Sequence, residues 1–308
     1  MSIPKNYLIK RLEEKDFFAV KTLFFKVFNK KVSINYLKNK YDTSYLGIQN
    51  ICSIAYFENL PVAFYGALPQ QFANKEKTIF VAHACDSFTL KEYQGQGLHF
   101  QLAKFSYEIM KQENIKFVYA FHSENTYHST KKLDWKEHLP MQRYHIKIPT
   151  IPFAKMVNKL HFNFIYSYFF KQKPPIGSLE KINTNETKQF QQVFNDKFIS
   201  YKNKIQPHYF MEDEGCLIWF KIEAIIHVGI FYAPSEFALK KTIQKLKTKA
   251  FFLGINEILF QVDSLSKMAL QLNDFNSSKE SWLIGYLNFD SEIEIKNFTF
   301  SYSNLDTY

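Results

Sequence analysis

The sequence predicts a mixed α+β protein: a mostly antiparallel sheet with helices on both faces, repeated in tandem along the chain. Three observations predict it. Short runs of apolar and β-branched residues alternate with stretches of helical spacing from residue 7 to residue 121. A strand–turn–helix–strand unit sits in the middle of an otherwise antiparallel series. After an interval marked by Pro149, Pro152, Pro174, Pro175 and Gly177, the same order of elements restarts.

Tyr7–Leu12 reads as a short strand. Asp16–Phe28 is a helix, with Phe17, Val20, Phe24 and Val27 on one face and Asp16 at its start. Ile51–Phe57 and Val62–Leu68 form a hairpin across Glu58-Asn59-Leu60-Pro61. Thr78–Thr89 is a strand, Lys91–Gly97 a turn, Leu98 to Gln112 a helix, and Ile115–Phe121 a further strand. Phe153–Phe170 places Phe153, Val157, Leu160, Phe164 and Tyr168 on one helical face, which predicts an amphipathic helix that is buried or bridges two domains, or else lies on a membrane surface. Beyond it, Glu186–Phe198 and Ser235–Phe252 read as helices, and Cys216–Lys221, Ile225–Phe231 and Glu257–Val262 as strands. Three parts follow: residues 1–150 with a glycine turn, a connector at 151–177, and residues 178–308 with no such turn.

Composition bounds the rest. Of 308 residues 46% are hydrophobic, enough for a substantial core, and only 9 are Gly and 10 Pro, which excludes collagen-like and linker-rich chains. Cys52, Cys85 and Cys216 are scattered, so neither a disulfide framework nor a cysteine zinc site is expected, and a reducing, cytoplasmic compartment fits. The net charge of +10 attracts phosphate-bearing partners, but the lysines are dispersed, with runs no longer than pairs such as Lys30-Lys31, so no nucleic-acid partner is expected. No stretch of about twenty uncharged apolar residues is present, so no membrane span is expected, while peripheral contact stays open. The sequence carries no signal for oligomeric state.

Chemistry concentrates at Tyr93-Gln94-Gly95-Gln96-Gly97-Leu98, between a strand and a helix. Glycines there let the backbone turn sharply and approach a ligand, and the N–H groups of the loop and helix start converge as a pyrophosphate cradle. The spacing matches neither a dinucleotide-binding fingerprint nor a Walker loop. On the same strand, Asp86 is a candidate general base and His83 an alternative. A regular strand faces Asp86 away from His83 and Cys85. Cys85 with His83 lacks an orienting partner for a thiol nucleophile and reads as a buried cysteine. His122, His128 and Glu124 match no metal-site spacing, so no metal is expected.

The turn resembles the acetyl-CoA loop of the GNAT superfamily of acyl-CoA-dependent N-acyltransferases, whose pattern Arg/Gln-x-x-Gly-x-Gly/Ala falls on Gln94, Gly97 and His99. His99 departs from it. Ala84-Cys85-Asp86-Ser87-Phe88-Thr89 resembles the strand leading into that loop. Ser123-Glu124-Asn125 and Lys132-Leu133-Asp134-Trp135 resemble the segments that close the fold, with Asp134 where Gly is usual. The resemblance covers about residues 7–145 and is faint beyond 178. It implies a tandem of GNAT-like domains with a degenerate second copy, and two central strands that splay to admit the pantetheine arm. It implies backbone contacts to the donor at Phe88 and Thr89, a pyrophosphate on Gln94, Gly95, Gln96, Gly97, Leu98 and His99, and Asn125 near the pantetheine or acetyl end. It also implies a general acid at a position held here by Thr130, for which Tyr127 is a nearby substitute. The implied reaction is acetyl transfer from acetyl-CoA to a primary amine of a small acceptor, such as an amino sugar. A non-catalytic CoA-binding or interaction module, and acyl or aminoacyl transfer to a peptide or lipid-linked acceptor, remain the alternatives.

Overall fold

A computed structural model describes residues 6–122, 130–160, 162–183, 189–273, 275 and 278–308. The first half keeps the predicted order and adds α2 and β6 to it: β1 (Leu8–Arg11), α1 (Phe17–Phe28), α2 (Ile34–Tyr41), β2 (Ser53–Phe57), β3 (Leu60–Ala73), β4 (Thr78–Thr89), α3 (Leu98–Gln112), β5 (Ile115–His122) and β6 (Lys136–Lys147). Helix α1 buries Phe17, Val20 and Leu23 and ends where Asn29 turns left-handed. Glu58 and Asn59 both adopt positive φ, which suits a tight hairpin turn between twisted strands. Helix α2 is absent from the sequence expectations: it is only eight residues long and mostly polar, too short for its apolar spacing to stand out. Its start is set by Ser33, whose Oγ accepts from the Tyr36 N–H at 3.0 Å.

The connector and second half contain α4 (Phe153–Lys159), α5 (Ser178–Asn183), β7 (Gln191–Gln192), α6 (Asp196–Ile205), β8 (His208–Asp213), β9 (Cys216–Ile222), β10 (Ile226–Tyr232), α7 (Glu236–Phe252), β11 (Glu257–Asp263), α8 (Lys267–Leu272) and β12 (Lys279–Asn288). Strands β9 to β11 and helix α7 lie within one residue of expectation. Two expected helices do not. Phe153–Phe170 splits into α4 and a 3-10 segment, Asn163–Tyr168. Of its apolar face, Phe153, Leu160, Phe164 and Tyr168 stay exposed, so no burial supports a continuous helix. The helix expected at Glu186–Phe198 instead starts at Asp196. Asn195 caps it by accepting from the Phe198 N–H at 2.9 Å, while Gln191 and Gln192 pair with the end of β3.

Among the described residues the strands form one sheet in the order β1-β2-β3-β4-β5-β12-β6-β11-β10-β9-β8, with β7 added at β3. Neighbours are antiparallel except β4/β5 and β10/β11, which are parallel and joined by crossovers containing α3 and α7. Strand β12 lies between β5 and β6, antiparallel to both, and β6 pairs with β11. Residue 150 therefore divides the chain but not the sheet: β6 precedes it, and both strand partners of β6 follow it. An aromatic core spans this seam, where Phe298 and Phe300 pack on Phe72, Phe117 and Tyr119. From there the segment 300–308 runs through the interior. Ser301 bridges to Val262 of β11, Gln70 donates to the Asn304 carbonyl at 2.8 Å, and Tyr308 is fully buried.

Candidate active site

The turn between β4 and α3 holds Gly95 and Gly97 at φ +74° each. A Cβ would meet nothing within 4 Å at Gly95 and only the Gln101 side chain at 3.9 Å at Gly97, so the left-handed backbone is what requires glycine here. Side chains brace the turn. Gln94 Nε2 donates to the Thr89 carbonyl, Gln96 Nε2 donates to the Glu92 carbonyl, both at 3.2 Å, and the Tyr7 hydroxyl donates to Gln96. Leu98 is buried and anchors the first turn of α3 in the core, so what it offers a ligand is its main chain. The turn opens on a crevice of about 360 Å³, lined by Phe28, Ser87, Phe88, Thr89 and residues of the turn itself.

That crevice leads into a fork in the sheet. Strands β4 and β5 pair from Phe80/Ile115 to His83/Tyr119 and no further, although β4 runs on to Thr89 and β5 to His122. A bulge on β4 coincides with the parting: Tyr65 faces Ser87 and Gly66 faces Cys85, leaving Asp86 without a partner across the ladder. Below the fork lies a cavity of about 230 Å³ walled by Tyr65, His83, Cys85, Asp86, Tyr107 and Asp306, among others. Ser87 and His99 belong to the walls of both spaces, which makes the crevice and the cavity neighbours.

Comparison with solved structures gives the same fold over nearly the whole chain. A GCN5-related N-acetyltransferase from Kribbella flavida superposes with a TM-score of 0.64 at 10% identity, over 94% of this chain and 72% of that one. The fold is that of the GCN5-related N-acetyltransferases. A conserved protein of unknown function from Enterococcus faecalis V583, described as a probable N-acyltransferase, gives 0.61 at 12% identity over 92% and 73% of the two chains. N-myristoyltransferase from Saccharomyces cerevisiae with bound myristoyl-CoA gives 0.55 at 11% over 93% and 79%. No protein-family model and no curated protein sequence matches the chain.

Within this GNAT fold the fork carries a charge cluster that sequence reading missed. Lys40, from α2, is 1% exposed and donates to Asp86 Oδ2 at 2.5 Å and to Asp306 Oδ2 at 2.6 Å. The Tyr41 hydroxyl donates to the same Asp86 oxygen at 2.6 Å. Burial disfavours the Lys40 ammonium, but Asp306 and Asp86 outweigh it and raise its pKa well above the ordinary lysine value. Burial likewise pushes the Asp306 carboxyl up, and Lys40 more than reverses this, holding it at about 2. The Cys85, Asp86 and Asp306 ligand atoms lie within 4.8 Å of one another, the composition of a cation site, and the Lys40 ammonium already bonds to both carboxylates. Nothing in the local sequence announces Asp306. Its contact with Lys40 spans 266 residues.

The sequence candidates meet mixed outcomes. Asp86 does reach the cavity, but the bulge turns it to the side of Cys85, contrary to regular alternation, and Oδ2 is committed to Lys40 and Tyr41. His83 is buried, its Nδ1 has no partner among the described residues, and burial lowers its pKa to about 4, so the ring is neutral at neutral pH. Burial and then Asp306 push the Cys85 thiol well up, which keeps it protonated and unreactive. Phe88 sends its ring into the core against Phe24, Phe28 and Phe64, leaving its main chain and that of Thr89 to the fork. His99 turns toward Tyr65, with ring centroids 5.8 Å apart, and stands between the crevice and the cavity. Asn125 and Tyr127 lie outside the described residues, as do Glu124 and His128.

Proposed function

We propose that this chain is an N-acetyltransferase that moves an acetyl group from acetyl-CoA to a primary amine of a small acceptor, such as an amino sugar, by direct attack in a ternary complex. The observation that carries this reading is the glycine turn opening on a fork whose strands part at a bulge. The turn offers main-chain N–H groups and the positive end of a fifteen-residue helix to a diphosphate. The unpaired edge of β4 from Ala84 to Thr89 offers main-chain groups to the amides of the pantetheine arm. The thioester would then reach the cavity, where acceptor and donor meet. That the solved neighbours include named N-acetyl-, N-acyl- and N-myristoyltransferases supports the reading.

In this reaction the amine lone pair attacks the thioester carbon, the C–S bond breaks, and the proton lost by nitrogen ends on the departing sulfur. Main-chain N–H groups at the bulge suit the developing oxyanion. Asp86 and Asp306, with one ammonium between them, leave the cavity with a net negative charge that draws in a protonated amine; the same charge favours the ammonium form, so the amine gives up its proton to a carboxylate or to water before it attacks. The neutral His83 ring supplies an acceptor for the amine N–H. Tyr127 is the phenol assigned to protonate sulfur, and a thiolate with an ordinary pKa near about 8.5 also leaves unaided. A cytoplasmic location belongs to the same proposal, since free Cys52, Cys85 and Cys216 suit a reducing compartment.

One observation favours a second reading, CoA binding without turnover: the carboxylate best placed to act as base is already paired with Lys40. Thiol release from acetyl-CoA with a panel of amines separates the two. Amine-dependent release that falls in Asp86→Asn and in Asp306→Asn, with CoA affinity kept, supports the enzyme. Tight CoA binding with no release for any amine supports the module.

A further inference from the structure

The connector and the C-terminal end of α7 form an apolar and basic face remote in sequence from the glycine turn. Tyr168 and Phe252 are 80% and 78% exposed, and Ile151, Phe162, Phe164 and Phe169 are each at least half exposed. The two segments are joined. Thr150 donates to the Phe251 carbonyl at 2.9 Å, Ala154 N–H to the Gly254 carbonyl at 3.1 Å, and Lys249 to the Phe169 carbonyl at 3.0 Å. Soluble surfaces do not ordinarily leave so many large rings together in water. Along the chain the charge of these two segments is one-sided. No acidic residue occurs between Glu137 and Glu180, or between Glu236 and Glu257, whereas Lys155, Lys159, Lys171, Lys173, Lys247 and Lys249 fall in those intervals. Among the described residues none of these six lysines is paired with a carboxylate.

We propose that this face docks on an anionic lipid surface, with the rings entering the headgroup region and the lysines neutralising acidic headgroups, and with no segment crossing the bilayer. The chemistry matches on both counts. Aromatic rings beside flexible lysine stems suit an interface that is apolar below and negatively charged above. A second copy of this chain is a poorer occupant, because a two-fold contact would set lysines against lysines. A partner helix is poorer too, since the connector offers only a seven-residue helix and a six-residue 3-10 segment, without a continuous seam.

The test uses the full chain and sedimentation with phosphatidylcholine vesicles, with and without phosphatidylglycerol. The expected result is binding at least about tenfold tighter to the phosphatidylglycerol vesicles, weakened by salt. A triple variant, Phe164→Ser, Tyr168→Ser and Phe252→Ser, should lose about tenfold in vesicle affinity while its circular dichroism and melting temperature stay unchanged, because all three rings are exposed. A wild-type chain that stays in the supernatant with both vesicles, or a folded triple variant that binds as wild type does, overturns the proposal. So does a wild-type dimer in light scattering that the triple variant abolishes while vesicle binding is absent; the face would then join two copies. The outcome is independent of acetyl transfer, which is assayed without lipid.

Discussion

Strands β4 and β5 part beyond His83 and Tyr119, and β10 and β11 part beyond Val228 and Phe260. Each fork has a bulge on its first strand, at Asp86 and at Gly229, and a helix in the crossover between its strands. The first fork walls a cavity of about 230 Å³. The second is filled by the protein itself. Phe300 and Ser301 bond to the freed edge of β11, and the Tyr308 ring lies over Gly229, where a Cβ would come within 2.3 Å of it. The Tyr308 hydroxyl donates to the Trp219 carbonyl at 3.2 Å and the His227 carbonyl at 3.1 Å. Lys202 closes the plug by donating to the carbonyls of Leu305 and Tyr308. A parted pair of strands is therefore a framework feature. What distinguishes the first fork is a glycine turn at its mouth and, among the described residues, a cavity where the second fork holds a plug.

The sharpest way to break this comparison is to empty the second fork. Tyr308→Ala should cost about 3–5 kcal/mol of stability, as for other large buried rings, and should still leave CoA binding at one equivalent per chain by calorimetry. Two equivalents would mean that Tyr308 alone separates the forks.

Both forks also hold a neutral histidine, buried at His83 and partly buried at His227. His83 and His227 are each lowered to about 4, mainly by burial. The unfolded chain binds protons on them near pH 6.5 while the folded chain does not, so stability falls as pH drops from about 6.5 toward 4. For His83 alone the loss is on the order of 3 kcal/mol. Melting temperature against pH should flatten in His83→Gln, and flatten further when His227→Gln is added. A single variant that removes the whole slope would show that the forks differ electrostatically.

Smaller effects test the mouth. Gly97→Val forces a branched side chain into φ +74° and should weaken CoA about tenfold, with the fold retained. Gln94→Ala removes the brace to Thr89 and should weaken it about threefold. CoA affinity unchanged in both variants would leave the first fork without its distinguishing feature.

The glycine turn and its flanking strand and helix are readable in the sequence because the signals are local: two glycines in six residues, then apolar residues at helical spacing. The bulge at Asp86 is not readable, since it depends on register with β3. Lys40 and Tyr41 escape notice because α2 is a short, mostly polar helix and a lysine on it reads as solvent-facing. Asp306 escapes because only the tertiary path of the 300–308 segment brings it to the cavity. The exchange of β12 and β6 across the seam is likewise set by long-range pairing. The connector misleads for the opposite reason: its helical pattern is strong, but no groove receives it.

The long reach from Lys40 to Asp306 has a consequence for how the molecule comes into being. A ribosome finishes the glycine turn long before it delivers Asp306, and β5 must wait for β12 to complete its edge. A chain stalled or clipped before residue 306 carries the glycine turn and the Lys40–Asp86 pair but lacks the second carboxylate that Lys40 bonds. The Lys40–Asp306 pair thus becomes a late event of folding, formed only once the segment 300–308 is threaded home.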